Sequence, residues 1–413
     1  MSFNKILAKK VVGTALKDGV NVTLSVATKT SHWERPEFVV DAVGDVLKKS
    51  VASWTEHLPA DTKEICSRES EHTSDSDPRS HLTVDQLTSS YRVERNSRPA
   101  LNLMSLLKVG QTLRGNLGKY VIRKQIQETV WFAENLRKET VVVKGVQGHP
   151  RVENERDVLR RFQPSTTHLR PLLDEIQDPA VPPIIVLRHL DDHLLNSSIK
   201  KILNRNELKF VARCILEALS VLHKEGYVHT DVKLDNIFVN YQDGHNRFAE
   251  VQLGDLGGCY SVDSEFARGG TPVGAAMWSS PEVIMETPWN TATDIWSFGT
   301  VLISLIYGGD FNLFRPRTVP YDHEEYNLEV LKQQFRYFGP FPAKYEEIAG
   351  PETVTAILYL MHEIPQSQTT PFSRTTEREV SLNDKEFISK IMKLDWRDRP
   401  TAKELLNDRW FQD

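Results

Sequence analysis

From about Leu113 onward the chain carries short stretches that are alternately or continuously apolar: YVIRKQI, TVWFAE, TVVVKGV and PIIVLRHL. A two-residue alternation or a brief apolar run bounded by polar residues predicts strands. After Ser197 the period lengthens. In ELKFVARCILEALSVLHKEG the residues Leu208, Val211, Ala212, Ile215, Leu219 and Leu222 recur at steps of three and four, and Gly226 supplies a stop. The remainder reads as mainly helical. A strand-rich piece followed by a helix-rich piece predicts an α+β chain with two lobes, and a cleft between lobes is a preferred place for a ligand.

Residues 1–105 have another texture. From Asp61 to Arg98 the chain is dense in Ser, Thr, Glu, Asp and Arg with few large apolar side chains, so it buries too little surface to offset its ordering entropy. A mostly disordered tail is expected there. Its start, MSFNKILAKKVVGTALK, carries Lys5, Lys9, Lys10 and Lys17 before the first acid, Asp18, and Phe3, Ile6, Leu7 and Val11 share one helical face. That is the outline of a mitochondrial transit peptide or a membrane-surface helix; the lack of arginine and the scarcity of serine argue for a solvated tail with a transient helix.

Composition narrows the function. With 39% hydrophobic residues among 413, the chain has material for a large core, which excludes a wholly disordered protein. Lys plus Arg number 51 against 56 Asp plus Glu, a net charge of −5, so no global positive charge is there to hold a nucleic acid. Cys66, Cys214 and Cys259 are far apart and fit neither a disulfide framework nor a zinc cluster. A reducing, intracellular setting, cytoplasmic or nuclear, is therefore expected. No apolar run reaches the ~18 residues a membrane-spanning helix needs, so no transmembrane segment is expected.

The most informative stretch is YVHTDVKLDNIFVN, residues 227–240, where Asp231, Lys233 and Asn236 follow a long apolar helix. Phosphoryl transfer needs such a set: a carboxylate for the attacking hydroxyl, a cation for the moving phosphoryl group, and an amide oxygen for a metal. Downstream, Asp255 stands in VQLGDLGG, where an apolar strand breaks into glycines that allow a sharp turn. Taken singly, each of these is more often a turn or cap residue. Their order is what carries weight. Lys144 closes the apolar run Thr140–Val143 and reads either as a buried cation awaiting an anion or as a snorkelling surface lysine. Glu155 reads either as its partner or as an ordinary helix-face acid. Trp278, Trp289 and Trp296 read as core.

At this point the sequence resembles the eukaryotic protein kinases, whose catalytic loop H-R-D-x-K-x-x-N and metal loop D-F-G stand here as HTDVKLDN and DLG. VVVK resembles the strand whose lysine, Lys144, holds the ATP phosphates, and NERDVLRRF the helix that supplies its partner, Glu155. RHLDDHL resembles the hinge, with Leu187 before it and backbone groups near Arg188, His189 and Leu190 available for adenine; Val130 opens the strand after the phosphate-covering hairpin. WSSPE, TDIWSFG and LDWRDRPTAKELLNDRWF resemble the end of the activation segment, the central helix anchored by Asp294, and the final helices, with Glu282 and Arg399 as a buried ion pair.

The resemblance spans about residues 113 to 413. It implies an α+β, two-lobed kinase fold: a small antiparallel β lobe with one key helix over about 113–190, and a large, mainly α lobe over about 191–413, with an insertion at about 311–380. It also implies ATP and Mg²⁺, a protein substrate offering Ser or Thr hydroxyls, Asp231 as base, Lys233 on the phosphoryl group, and Asn236 and Asp255 as metal ligands. HTD in place of HRD, and FRYFGPFPAKYEEI within the insertion, look like the CMGC branch and its SR-protein kinases.

Four departures matter. Between Lys119 and Lys144 there is no glycine, so either Arg123, Gln125 and Glu128 stand where the family has G-x-G-x-x-G or the hairpin at Gln127 and Glu128 is shortened. Both readings remove backbone amides from the phosphates. Thr230 replaces the arginine that receives an activation-loop phosphate, so Ser261, Ser264 and Thr271, if modified, lack that partner. Leu256 in DLG can pack as the usual Phe does. Ala275 stands where a threonine usually contacts the catalytic Asp and Lys. The alternative to an active kinase is accordingly a pseudokinase scaffold, whereas a small-molecule phosphotransferase would lack the SPE and DIWSFG segments.

Overall fold

In the computed structural model, eleven short strands and ten helices account for most of the described residues, which are Ile6, Leu7, Lys10, 107–146, 149–180 and 182–412. They fall into two units: residues 104–340 with 370–413, and residues 1–103 with 341–369.

The first unit opens with β1 (Thr112–Gly115), β2 (Lys119–Gln127), β3 (Val130–Glu134) and β4 (Thr140–Gly145), followed by α1 (Arg151–Phe162), β5 (Leu172–Asp178) and β6 (Ile184–Arg188). The six strands close into a barrel in the order β1-β2-β3-β4-β6-β5, every neighbouring pair antiparallel. Alternation explains the closure. Tyr120 and Ile122 of β2, Trp131 and Ala133 of β3, Val141 and Val143 of β4, and Ile184 and Val186 of β6 join Leu107, Leu113 and Ile176 in one buried cluster, as side chains at every second position must when one face is covered. Helix α1 buries Val152, Glu155, Val158, Leu159 and Phe162, one face at three- and four-residue spacing. Glu155 is the only acid on that face.

The helical part contains β7 (Asp192–His193), α2 (Leu194–Lys200), α3 (Arg205–Lys224), β8 (Tyr227–Val228), β9 (Ile237–Tyr241), β10 (Phe248–Leu253), β11 (Tyr260–Ser261), α4 (Glu265–Arg268), α5 (Pro281–Ile284), α6 (Ala292–Tyr307) and α7 (Tyr326–Phe338). Helix α3 begins at a capping box in which Asn204 and Glu207 satisfy each other's backbone N–H groups. It ends before Gly226, whose φ of 72° suits glycine. Helix α6 is buried on all sides from Thr293 to Leu305, so it forms the centre of the lobe. The antiparallel sheet β10-β9-β7 and the pair β11-β8 frame the loop between Val228 and Ile237.

In the second unit, α8 (Pro351–Glu363) starts with proline in its first turn, where a missing N–H costs nothing. Ile6 and Leu7 are helical and buried; the rest of the tail expected over 1–105 lies outside the described residues. Within the segment expected as an insertion, α7 belongs to the first unit and residues 341–369 to the second. Two more helices, α9 (Leu382–Ile391) and α10 (Ala402–Leu406), complete the first. No helix among the described residues is long and apolar enough to cross a membrane.

Candidate active site

Three elements converge on Lys144. It lies next to last in β4, opposite Val130 of β3 and Ile185 of β6, and its ammonium reaches Glu155 Oε2 of α1 at 2.6 Å and Asp255 Oδ1 at 2.5 Å. Glu155 is 1% exposed, so this is no surface pair and Lys144 does not snorkel. Burial alone would pull the ammonium below its ordinary value, yet the two carboxylates outweigh it and hold it above. Asp255 shows the counterpart: burial pushes its carboxyl up, but Lys144 holds it below the usual carboxylate range. Asp255 also adopts a left-handed backbone, φ 60° and ψ 60°, a strained geometry for a residue with a Cβ that persists only where its surroundings impose it. One such surrounding is Asn154, whose Nδ2 donates to the carbonyls of Gly257 at 3.1 Å and Cys259 at 2.9 Å and ties the metal loop to α1.

The loop after β8 hangs on Asp294, in the first turn of α6 and 0% exposed. Its carboxylate accepts from the backbone N–H of His229 at 2.7 Å and of Thr230 at 2.9 Å, and from His223 Nε2 at 2.9 Å. The Thr230 hydroxyl donates to Gly258 O at 2.7 Å, so the residue in the arginine's place links the catalytic and metal loops. His229 Nδ1 accepts from the N–H of Asp231 at 3.3 Å, which leaves Nε2 as the donor to Gly254 O at 3.1 Å. Asp294→Asn sets an amide NH₂ against one of these donors. It should lower unfolding free energy in urea melts by about 1–3 kcal/mol; an unchanged midpoint would show that the loop does not depend on this carboxylate.

Asp231 is 7% exposed. Its Oδ2 accepts from Lys233 Nζ and Asn236 Nδ2, each at 2.9 Å, and Asn236 Nδ2 also donates to Asp231 O. Asp231 Oδ1 is buried without a hydrogen-bond partner among the described residues. Gly274, with φ 70°, brings the activation segment against the Thr230 carbonyl, and its neighbour Ala275 offers no hydroxyl to fill the vacancy. An acceptor so placed suits an incoming hydroxyl. Asn236, its NH₂ spent on Asp231, keeps Oδ1 for a cation, and Asp255 keeps Oδ2. That set fits a magnesium-type site, in which one or two protein oxygens act together with substrate phosphates. Among the described residues no group of three or more His, Cys, Asp or Glu is placed to hold a metal without such help.

At the hinge end, Leu187 and Leu190 are buried, while Arg188 and His189 are half-buried. The Arg188 guanidinium turns away to Glu250, at 3.2 and 2.8 Å, and the His189 ring meets Phe132 edge-on at 5.2 Å. The glycine-free hairpin resolves into a two-residue turn at Glu128–Thr129: pairing of β2 with β3 continues to Gln127 and Val130, with irregularities at Ile122/Lys124 and Gln125/Gln127. Its tip is tied down by Gly145 N–H donating to Thr129 O at 3.1 Å. The buried Cys214 and Cys259 are passive, since burial pushes the first thiol up to about 12 and the second well above its ordinary value.

Residues 109–411 match the protein kinase domain family. The chain belongs to that family. Its similarity to individual kinases is partial: 37% identity to the serine/threonine-protein kinase PAK 4 of Homo sapiens over 106 residues, 26% of this chain and 17% of that protein. It is 28% identical to the serine/threonine-protein kinase US3 homolog of varicella-zoster virus (strain Dumas) over 235 residues, 55% of this chain and 56% of that protein. The chain thus spans less than two thirds of the length of these relatives. Among solved structures, the yeast RNA Pol II CTD kinase CTDK-1 complex has a chain that superimposes with a TM-score of 0.57 at 17% identity, covering 71% of this chain and 93% of that one. This is a likeness of fold.

All six polar residues expected at the centre, Lys144, Glu155, Asp231, Lys233, Asn236 and Asp255, lie in the two joined clusters described, and Val130 lies across the ladder from Lys144. The sequence reading missed Asn154, the Thr230 hydroxyl and Arg170. Asn154 had a signal in its place beside Glu155; a lone arginine in HLRPLL had none.

Proposed function

We propose that the chain transfers the γ-phosphoryl group of ATP to Ser or Thr hydroxyls of a protein substrate. The observation that carries this reading is the pair of contacts Lys144 makes with Glu155 and Asp255 while Asp231 keeps a buried oxygen unpaired. Asp231 Oδ1 accepts a hydrogen bond from the substrate hydroxyl and takes its proton as that oxygen bonds to the γ-phosphorus, the bond from the γ-phosphorus to the β–γ bridging oxygen breaking so that ADP leaves. Lys233, held on the other oxygen of the same carboxylate, lies within reach of the transferring group, and Lys144 directs its charge at the non-transferred phosphates. Mg²⁺, when bound, neutralises phosphate charge, and Asn236 Oδ1 and Asp255 Oδ2 are the oxygens that would hold it. Lys233, two positions after Asp231, supports the Ser/Thr class. The finer placement beside the SR-protein kinases of the CMGC branch rests on His229-Thr230-Asp231 and residues 335–348, whereas the relatives named above are PAK and US3 kinases.

The glycine-free hairpin favours a second reading, a scaffold without turnover. The test is the melting temperature of the full chain with ATP, with and without Mg²⁺. Ligand at about 100 times its dissociation constant stabilises by about 2.7 kcal/mol, so a Mg²⁺-dependent rise is expected. No shift at millimolar nucleotide would leave the scaffold reading in its place.

A further inference from the structure

Arg170, in the segment between α1 and β5, is 8% exposed. Its backbone N–H is spent on Leu253 O at 2.9 Å, and its side chain runs beneath the hinge. Nε donates to the carbonyl of Arg188 at 2.8 Å, the guanidinium carbon lies 4.1 Å from the centre of the Phe238 ring, and Cδ lies against Gly254, so close that a Cβ there would be 3.2 Å away. The negative charges of Glu155 and Asp255 favour the cation, and burial, then the charge of Arg170, lowers the pKa of the His189 imidazole. Desolvation brings the guanidinium down to about 10, still protonated at neutral pH.

A guanidinium offers five N–H donors; among the described residues this one has a single hydrogen-bond acceptor, a hinge carbonyl. That carbonyl is one of the backbone groups a purine base would use in a kinase cleft. Phe238, two positions after Asn236, presents a flat apolar face beside it and is covered by the arginine through a cation–π contact. A planar cation of the protein itself thus holds both the hinge carbonyl and the face of the Phe238 ring.

We propose that Arg170 occupies the purine subsite and that a nucleotide base enters only when this side chain leaves the Arg188 carbonyl and the Phe238 ring. The inference rests on the ATP reading given above and adds a regulatory device to that same site. When only a fraction of molecules is open, apparent affinity falls by that fraction: about 10% open gives a tenfold weaker binding constant. Burial of a charge with so few partners is costly, which makes the occupied state one that a modest competing interaction can displace. The device acts at the base, so it acts on adenosine as well as on ATP.

The experiment is calorimetric titration of the full chain and of Arg170→Val with ATP plus Mg²⁺ and, separately, with adenosine, which has the base and no phosphates. Arg170→Leu serves as the second variant should valine impair folding. The expected result is at least tenfold tighter binding of both probes by the variant. Equal affinities of variant and wild type overturn the occupied-subsite inference while leaving the ATP reading standing. Weaker binding by the variant also overturns it, because Arg170 would then be a contact for the base. Failure of both proteins to bind either probe at millimolar concentration overturns the ATP reading, and this inference with it.

Discussion

Asp231→Ala should slow phosphoryl transfer at least about 10²–10⁴-fold, the range a positioned general base contributes, while leaving the fold intact. The loss is chemical because of how the carboxylate is held. Oδ2 is committed to Lys233 and Asn236 at 2.9 Å each, which fixes its plane, and Oδ1 is buried with no partner among the described residues. An oxygen kept dry and unpaired costs stability, so truncation releases that cost even as it frees Lys233 and Asn236. The two effects oppose each other, and the melting temperature should move little. Asp231→Asn separates them further, since the amide preserves shape but cannot take a proton. Turnover would be followed as labelled phosphate transferred from ATP to a Ser/Thr peptide library. Wild-type turnover by either variant would remove Asp231 from the role of base.

Much of this arrangement is legible before any coordinate is known, for physical reasons that differ from residue to residue. The barrel strands announce themselves because a covered face enforces alternation, as at Trp131 and Ala133, or because burial on both faces leaves a continuous apolar run, as at Val141, Val142 and Val143. Lys144 and Glu155 are recognisable because a cation ending an apolar strand and an acid on an apolar helix face each need the other. What stays illegible depends on contacts between distant, individually ordinary residues. Arg170 belongs to no periodic pattern, and its placement between Arg188 O and Phe238 follows from three separate segments meeting. The Thr230 hydroxyl replaces an electrostatic switch with a fixed bond to Gly258 O, and nothing in a threonine advertises that. The glycine-free hairpin admits two registers because none of residues 123–129 is the Gly, Pro, Asn or Asp that would mark a turn; the two-residue turn at Glu128–Thr129 is set by pairing to Val130 and by the tie from Gly145 to Thr129. Helix α7 lay hidden in a stretch read as an insertion, since Pro316 and Pro320 precede it and Gly339 and Pro340 follow it.

Glu282→Ala should destabilise the protein by about 3–5 kcal/mol, the cost of stranding one member of a buried pair. Glu282 sits in α5 at the end of the activation segment, and Arg399 follows the 3₁₀ turn before α10. Their forks meet with Nη1 to Oε1 at 2.6 Å and Nη2 to Oε2 at 2.8 Å, the side chains 0% and 1% exposed. Arg399 has further partners in the carbonyls of Ala292 at 3.0 Å and Lys393 at 2.8 Å, and its guanidinium carbon lies 5.1 Å from the Trp296 ring. Those contacts fix the arginine in place, so it cannot swing to water when its carboxylate is removed, and the full penalty of an unpaired buried charge is felt. The pair itself is a different matter. Two desolvated charges offset much of their own attraction, and replacing both by apolar residues of similar volume is often close to neutral. The double variant Glu282→Leu with Arg399→Met should therefore recover most of what Glu282→Ala loses, measured as the urea midpoint of each protein. A single variant that melts with the wild type would deny that the pair is buried in solution, and a double variant no better than the single one would assign the loss to packing around α5 rather than to charge.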